Sequence, residues 1–322
     1  MLESKKLRTI IAKIKTANNI LILGHARPDG DAIASVCAVS ELCRLFNKKF
    51  TPFFTDIPDP LFYFLDNFNL IKTGKENLNL SEFDLIIVLD CGSVERTGIA
   101  DLLKQKDPSQ FIIDIDHHPK ISGYADFELK DPESAATAEI VYFLLKENKI
   151  KINKAIANCI LTGILTDTGN LLYPSTSEET IKIASEMLTR GARFPQIIQK
   201  TWYNKSLSSM KLWGLAMSKL TLNKKYNIAF SVLTLEEIQA YQADEDVFTN
   251  IVAFMSNLSD TKGVLLLREE AGGKIKGSLR TSQPEGDISQ LAQAFGGGGH
   301  PKSSGFVIEG RLEKSDDYYK II

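Results

Sequence analysis

The sequence predicts an α/β protein: a parallel sheet with flanking helices, then a helical connector and a smaller α/β C-terminal domain. Three observations predict it. Short apolar runs alternate with helical stretches from Asn19 to Pro119, as in a parallel sheet covered on both faces. The pattern then turns helical as far as Leu220, and strand-like runs return from Asn227. At 322 residues the chain exceeds one typical core and fits two domains. We expect their limits at 1–190 and 223–322, joined by a helical linker over 191–222.

Taken in order, Leu7, Ile10, Ile11 and Ile14 recur at helical spacing. Ile20–Leu23 reads as a buried strand, Ala32–Leu45 as the helix after it and Phe50–Phe54 as the next strand. Phe83–Leu89 is a strand closing at Asp90, followed by a short helix over Gly98–Lys104 and the strand Phe111–Ile115. Helices are expected over Ser134–Lys146, Asn153–Thr166, Ser177–Thr189 (stopped by Gly191), Pro195–Tyr203 and Ser206–Leu220. The second domain opens with strand Asn227–Leu233 and helix Val247–Met255. Strands Val264–Arg268 and Lys274–Leu279, helix Ile288–Phe295 and a last strand near Phe306–Ile308 complete it.

Composition narrows the function classes. A net charge of −2 argues against gripping long duplex DNA through many phosphates. No apolar run approaches the ~20 residues that span a bilayer, and the N-terminus lacks a signal-peptide core. The four cysteines, Cys37, Cys43, Cys91 and Cys159, show no C-x-x-C spacing and lie in apolar contexts. They read as buried reduced thiols, so a cytoplasmic location is expected.

Chemistry-bearing residues gather in five places. His25, Asp29 and Asp31 fall within seven residues after the first strand, where Pro28 and Gly30 bend the chain. Strand carboxyl ends are where ligands bind in α/β sheets. An extended Asp-Gly-Asp would head both carboxylates the same way, an oxygen and nitrogen set suited to Mn, Fe or Mg. The plainer alternative makes Asp31 a helix cap and Asp29 a turn residue. Asp90 closes a buried strand at a Gly/Ser turn, where an Asx cap is the common fate of a lone aspartate. Asp116, His117 and His118 follow Phe111–Ile115. Asp167 falls where a helix should end, opposing the helix dipole, so a positive group is expected beside it. These carboxylates and imidazoles would repel if they converged without a cation, and two cations suit them better than one.

The fifth place is Gly296, Gly297, Gly298 and Gly299 before His300. These glycines could form a flexible linker. Within a helix-to-strand connection they more naturally let backbone N–H groups approach a phosphate. Arg280 reads either as an oxyanion clamp or as a solvated strand-end arginine.

His25-x-x-x-Asp29-x-Asp31, Asp90, Asp116-His117-His118, Thr166-Asp167-Thr-Gly and Gly-Gly-Gly-Gly-His300, in that order, resemble the DHH phosphoesterase superfamily with its DHH-associated C-terminal domain. The chain is most similar to the small nanoRNase/pAp-phosphatase branch, from about Ile20 to Phe306. The resemblance implies that His25 and Asp29 hold one Mn and Asp31 and His117 another, with Asp90 and Asp167 bridging or serving both. Mg or Co would be substitutes. His118 would face the scissile phosphate and Asp116 would orient the histidine pair. Arg280, His300 and the backbone of Gly297, Gly298 and Gly299 would bind substrate phosphate from the second domain. Asp114 matches no ligand position. Ser303-Ser304 stands where the family usually has Ala-Ala, which bears on substrate preference.

The resemblance further implies a two-metal hydrolase of short single-stranded RNA and small nucleotides, cleaving 3′-phosphoadenosine 5′-phosphate to AMP, with no membrane partner. Site residues on two domains imply a cleft that closes on substrate. A homodimer is one assembly it admits. Three alternatives stand beside it: a linear or cyclic dinucleotide phosphodiesterase, a pyrophosphate or polyphosphate hydrolase, and a catalytically silent nucleotide-binding sensor.

Overall fold

Helix α1 (Ser4–Thr16) buries Leu7, Ile10, Ile11 and Ile14, the positions its spacing picks out. It opens the computed structural model, which describes residues 3–119, 123–203, 205–242, 246–283, 285–314 and 319–322. The chain divides into two units, Met1–Asn204 and Lys205–Ile322.

The first unit continues through β1 (Asn19–Leu23), α2 (Gly30–Leu45), β2 (Lys49–Phe54), β3 (Lys72–Thr73), β4 (Leu85–Leu89), α3 (Ala100–Lys104), β5 (Phe111–Asp116) and β6 (Phe127–Lys130). Helices α4 (Thr137–Glu147), α5 (Lys154–Asp167), α6 (Glu178–Thr189) and α7 (Phe194–Thr201) follow. The strands form one parallel sheet in the order β3-β2-β1-β4-β5-β6. Alternate residues of the central strands serve opposite faces. Ile20, Ile22, Ile87 and Ile113 pack with α2, α4 and α5, while Leu21, Leu23, Ile86 and Ile112 pack with Ile99 and Leu103. Burial on both faces is why these strands read as unbroken apolar runs. Each fully buried side chain of this size contributes about 1.5–3 kcal/mol.

The second unit contains α8 (Leu207–Ser218), β7 (Thr221–Asn223), β8 (Ile228–Leu233), α9 (Leu235–Tyr241), α10 (Asp246–Met255), β9 (Gly263–Glu270), β10 (Lys274–Arg280), α11 (Ser289–Ala294), β11 (Gly298–His300), β12 (Ser303–Glu309), β13 (Leu312–Lys314) and β14 (Tyr319–Ile321). Its sheet runs β11-β12-β10-β9-β8-β7, antiparallel except for the β8–β9 pair.

The helical stretch over 191–222 is shared between the units. Ile197 and Ile198 of α7 join the first core, whereas Leu212 and Ala216 of α8 join the second. Helix α9 was not among the expected elements, although Thr234 and Glu237 close a capping box at its start. The glycine run is only partly a connection, because Gly298, Gly299 and His300 form edge strand β11.

Candidate metal centre

Strands β1, β4 and β5 are neighbours in the sheet, so their carboxyl ends deliver three polar groups to one place. Past β1, His25 is buried, and its Nδ1 lies 2.8 Å from the Ala26 carbonyl. This aims Nε2 away from the backbone, 3.5 Å from Asp29 Oδ2 and 3.9 Å from Asp90 Oδ2. Asp29, and not Asp31, caps the following helix. Its Oδ1 caps α2 by accepting from the amides of Asp31 and Ala32, and its Oδ2 faces His25.

Asp31 departs from the extended Asp-Gly-Asp expected. Because Asp29 starts the helix, Asp31 lies in the first turn of α2 and its carboxylate takes a different heading. It accepts from the amides of Thr137 at 2.6 Å and Ala138 at 3.0 Å, at the start of α4. That helix begins three residues later than its sequence suggests, after Ala136, which has no capping side chain. Asp31 supplies the cap from across the fold.

Asp90 leaves β4 at a left-handed φ of 62°. Its Oδ1 accepts from Thr137 Oγ1 at 3.0 Å and lies 3.5 Å from His117 Nε2. His117 Nε2 is also 3.5 Å from Asp167 Oδ2 at the end of α5. Two glycines allow this approach of helices. A Cβ on Gly163 would meet Asp31 Oδ1 at 2.4 Å and the Ala138 Cβ at 2.5 Å. One on Gly30 would meet the Thr166 side chain at 2.5 Å.

Asp116, at the end of β5, is wholly buried. Its Oδ1 accepts from the amide and ring Nδ1 of His118, at 2.9 and 2.7 Å, and its Oδ2 accepts from the Gly92 amide at 2.6 Å. Asp114, two residues earlier on the same face of β5, is paired with Lys130 Nζ at 2.9 Å.

Burial first, then the charges of Asp31, Asp29, Asp167 and Asp116, push the Asp90 carboxyl well above its ordinary range. Burial also raises Asp31, against the opposing pull of His117. At Asp116 burial acts upward, but the hydrogen bonds and charge of His118, with the charge of Lys130, together outweigh it and hold the carboxyl at about 2. Burial lowers the His117 imidazole, yet Asp167, Asp31 and Asp116 leave it raised overall.

The donors fit a divalent cation. His25 Nε2 is buried without a hydrogen-bond partner, and the carboxylate oxygens around it are too far for a hydrogen bond but near enough to share an ion. Among the described residues, ligand atoms converge within 4.8 Å in three groupings: His25, Asp29 and Asp90; Asp31, His117 and Asp167; and Asp90, His117 and His118. Oxygen with imidazole is the donor chemistry of Mn and Mg sites with some nitrogen character.

In the second unit, register places Arg280 of β10 opposite Ser303 of β12, and Ser303 opposite His300 of β11. Arg280, Ser303 and His300 thus form one row across adjacent strands. Gly297 and Gly299 are required by packing, since a Cβ would meet the Gly305 carbonyl at 2.1 Å and the Ser303 carbonyl at 2.6 Å. A Cβ on Gly298 would meet nothing within 4 Å.

Sequence reasoning missed Thr137, Lys130 and Arg96. Thr137 had a usable signal in a helix start that lacks a cap of its own. Lys130 had none, because it meets Asp114 and Asp116 only through the β5–β6 register. Arg96 Nη1 lies 3.2 Å from His118 Nε2.

Residues 19–164 match the DHH family N-terminal domain, and residues 226–322 match the DHHA1 domain. The chain belongs to the DHH family and is a phosphoric ester hydrolase. Along almost its whole length it is similar to the bifunctional oligoribonuclease and PAP phosphatase NrnA of Bacillus subtilis (strain 168). That similarity is 30% identity over 304 residues, covering 93% of this chain and 92% of that protein. Among solved structures, an exopolyphosphatase-related protein from Bacteroides fragilis is 27% identical with a TM-score of 0.85, covering 95% of this chain and 92% of that one. RecJ from Thermus thermophilus, solved in complex with Mn2+, shares the fold at a TM-score of 0.55 and 12% identity, covering 96% of this chain and 52% of that one. No described helix is long and apolar enough to cross a membrane.

Proposed function

We propose that the chain hydrolyses short oligoribonucleotides to mononucleotides and 3′-phosphoadenosine 5′-phosphate to AMP, using two divalent cations, Mn foremost. One observation carries this reading: the donors fall into two groupings of three, His25, Asp29 and Asp90, and Asp31, His117 and Asp167, with Asp90 and His117 meeting again beside His118. A single ion would leave part of that negative charge unopposed. The name of the Bacillus subtilis relative supports the substrate class.

His25, Asp29, Asp31, Asp90, His117 and Asp167 would hold the ions, which would supply Lewis-acid activation of water and charge neutralisation at the attacked phosphate. The protein's own groups do the rest. Asp116 holds His118 Nδ1, which fixes the ring's tautomer and turns its Nε2 edge outward. Asp90, held by Thr137, keeps one orientation toward His117. Arg280 and His300, aligned with the glycine backbone in the second unit, bind substrate phosphate and favour short chains with a terminal phosphate. We assign metal binding and catalysis to the first unit and substrate phosphate binding to the second. Four buried free thiols accord with work in the cytoplasm.

The Bacteroides fragilis structure gives a second reading specific support, hydrolysis of pyrophosphate or polyphosphate. Product analysis with Mn on short RNAs, 3′-phosphoadenosine 5′-phosphate, pApA and pyrophosphate separates them. Mononucleotides and AMP are expected. Orthophosphate from pyrophosphate with intact dinucleotides would overturn the reading.

A further inference from the structure

Arg96 has no part in the roles assigned above. It lies in a 3₁₀ turn (Glu95–Thr97) after β4. Its carbonyl accepts from the Ala26 amide at 2.6 Å, which ties this turn to the loop carrying His25. Thr97 Oγ1 donates to the Val94 carbonyl at 2.6 Å, and Gly98 closes the turn at a left-handed φ of 73°. The main chain is therefore fixed while the arginine side chain is exposed.

That side chain turns back onto His118, with Nη1 3.2 Å from Nε2. A guanidinium can only donate, so the imidazole nitrogen is the acceptor. The other ring nitrogen already gives its hydrogen to Asp116 Oδ1 at 2.7 Å. Gly92 leaves room for the pair: at its φ of 68° a Cβ would lie 3.3 Å from Arg96 Nη1 and 3.5 Å from His118 Cγ. On its Nδ1 side the same ring lies 3.5 Å from Asp90 Oδ1. The imidazole thus stands between the metal-ligating groups and an exposed arginine.

We propose that Arg96 is a catalytic phosphate-binding residue that leaves His118 Nε2 for the nonbridging oxygens of the substrate phosphate. The inference rests on the phosphoesterase reading and adds a contact to it. An N–H to a neutral imidazole is a weaker bond than a charge-assisted fork onto phosphate oxygens. The exchange also uncovers Nε2 while Asp116 still holds Nδ1, so the ring edge turns toward the same phosphate. Because the contact is to phosphate and not to a base, its loss affects dinucleotide and bisphosphate substrates alike.

The full-length protein with Mn bound, as parent, Arg96→Lys and Arg96→Gln, tests this. The readouts are kcat and KM on pApA and on 3′-phosphoadenosine 5′-phosphate, and orthophosphate and Mn binding by calorimetry. For Arg96→Gln, kcat/KM should fall about 10- to 100-fold on both substrates and orthophosphate should bind about tenfold more weakly, the scale of a charged hydrogen bond. Mn affinity should hold, Arg96→Lys should recover only part of the loss, and added guanidinium should rescue Arg96→Gln. Orthophosphate affinity within about twofold of the parent overturns the proposal, whether or not turnover falls, because Arg96 would then only position His118. If the parent cleaves neither nucleotide, the functional reading fails, and orthophosphate binding by the Mn-loaded variants still decides Arg96.

Discussion

In the first unit the site is made of buried and half-buried groups brought from separate elements: His25 after β1, Asp31 in α2, Asp90 after β4, His117 after β5 and Asp167 at the end of α5. In the second, Arg280, Ser303 and His300 lie side by side on neighbouring strands of one antiparallel sheet. The first arrangement gathers like charges out of water and is costly without a counter-ion. The second needs only strand register. Substitutions of these first-unit groups should therefore disturb stability, metal and turnover together, whereas in the second unit they should separate.

The largest effect is expected at Asp90. Asp90→Asn should lower Mn-dependent turnover at least about 100-fold, the upper end of what losing a supporting contact costs. Near-normal turnover would refute the two-metal assignment. The same variant carries a pH signature in chelator-treated protein. Burial and neighbouring carboxylates raise the folded-state Asp90 above its ordinary 3.8, so the folded chain binds more protons than the unfolded one. Stability from this group is full below about 3.8 and is lost as pH rises through the folded value. Metal-free Asp90→Asn should melt above the parent, by a margin that widens with pH. A margin that narrows would show that repulsion does not dominate there.

Lys130→Met comes next. The Lys130 side chain is 8% exposed and Asp114 is fully buried, so removing the cation strands a buried carboxylate beside Asp116. The cost should be about 3–5 kcal/mol in denaturant unfolding, with much of it recovered in Lys130→Met/Asp114→Leu. Equal destabilisation in both variants would argue against the pair. Gly163→Ala should cost about 1–3 kcal/mol, because its Cβ intrudes on Asp31 and Ala138, and it should weaken Mn binding in calorimetry. An unchanged Mn affinity would mean that Asp31 does not depend on this packing.

The smallest stability effect is expected at Gly298, and it sharpens the contrast within one glycine run. Gly298→Ala should change the melting temperature little, whereas Gly297→Ala should lower it clearly through its clash with the Gly305 carbonyl. Lower activity in a stable Gly298→Ala would mark backbone approach to phosphate. Full activity would confine the run to a packing role.

Periodicity located the central strands and most of the helices because both sheet faces are buried and each helix buries one stripe, and both leave local traces. Strands β6, β7, β11, β13 and β14 left little trace, being short. Asp29 shows how far a local motif can be read. Its turn and ligand alternatives were both available in the sequence, and in the structure one oxygen caps α2 while the other faces His25. Lys130 and Arg96 could not be read so, since each meets its partner through strand register or loop contact alone.

By itself the sequence determined which residues could carry the chemistry, because imidazoles and carboxylates placed after apolar runs fall at strand ends in any parallel sheet. Only the tertiary structure decided which of them share a centre. Strand order makes β1, β4 and β5 neighbours, and Gly30 and Gly163 let α2, α4 and α5 close to contact. Those are distances between segments far apart in the chain, and no local pattern fixes them.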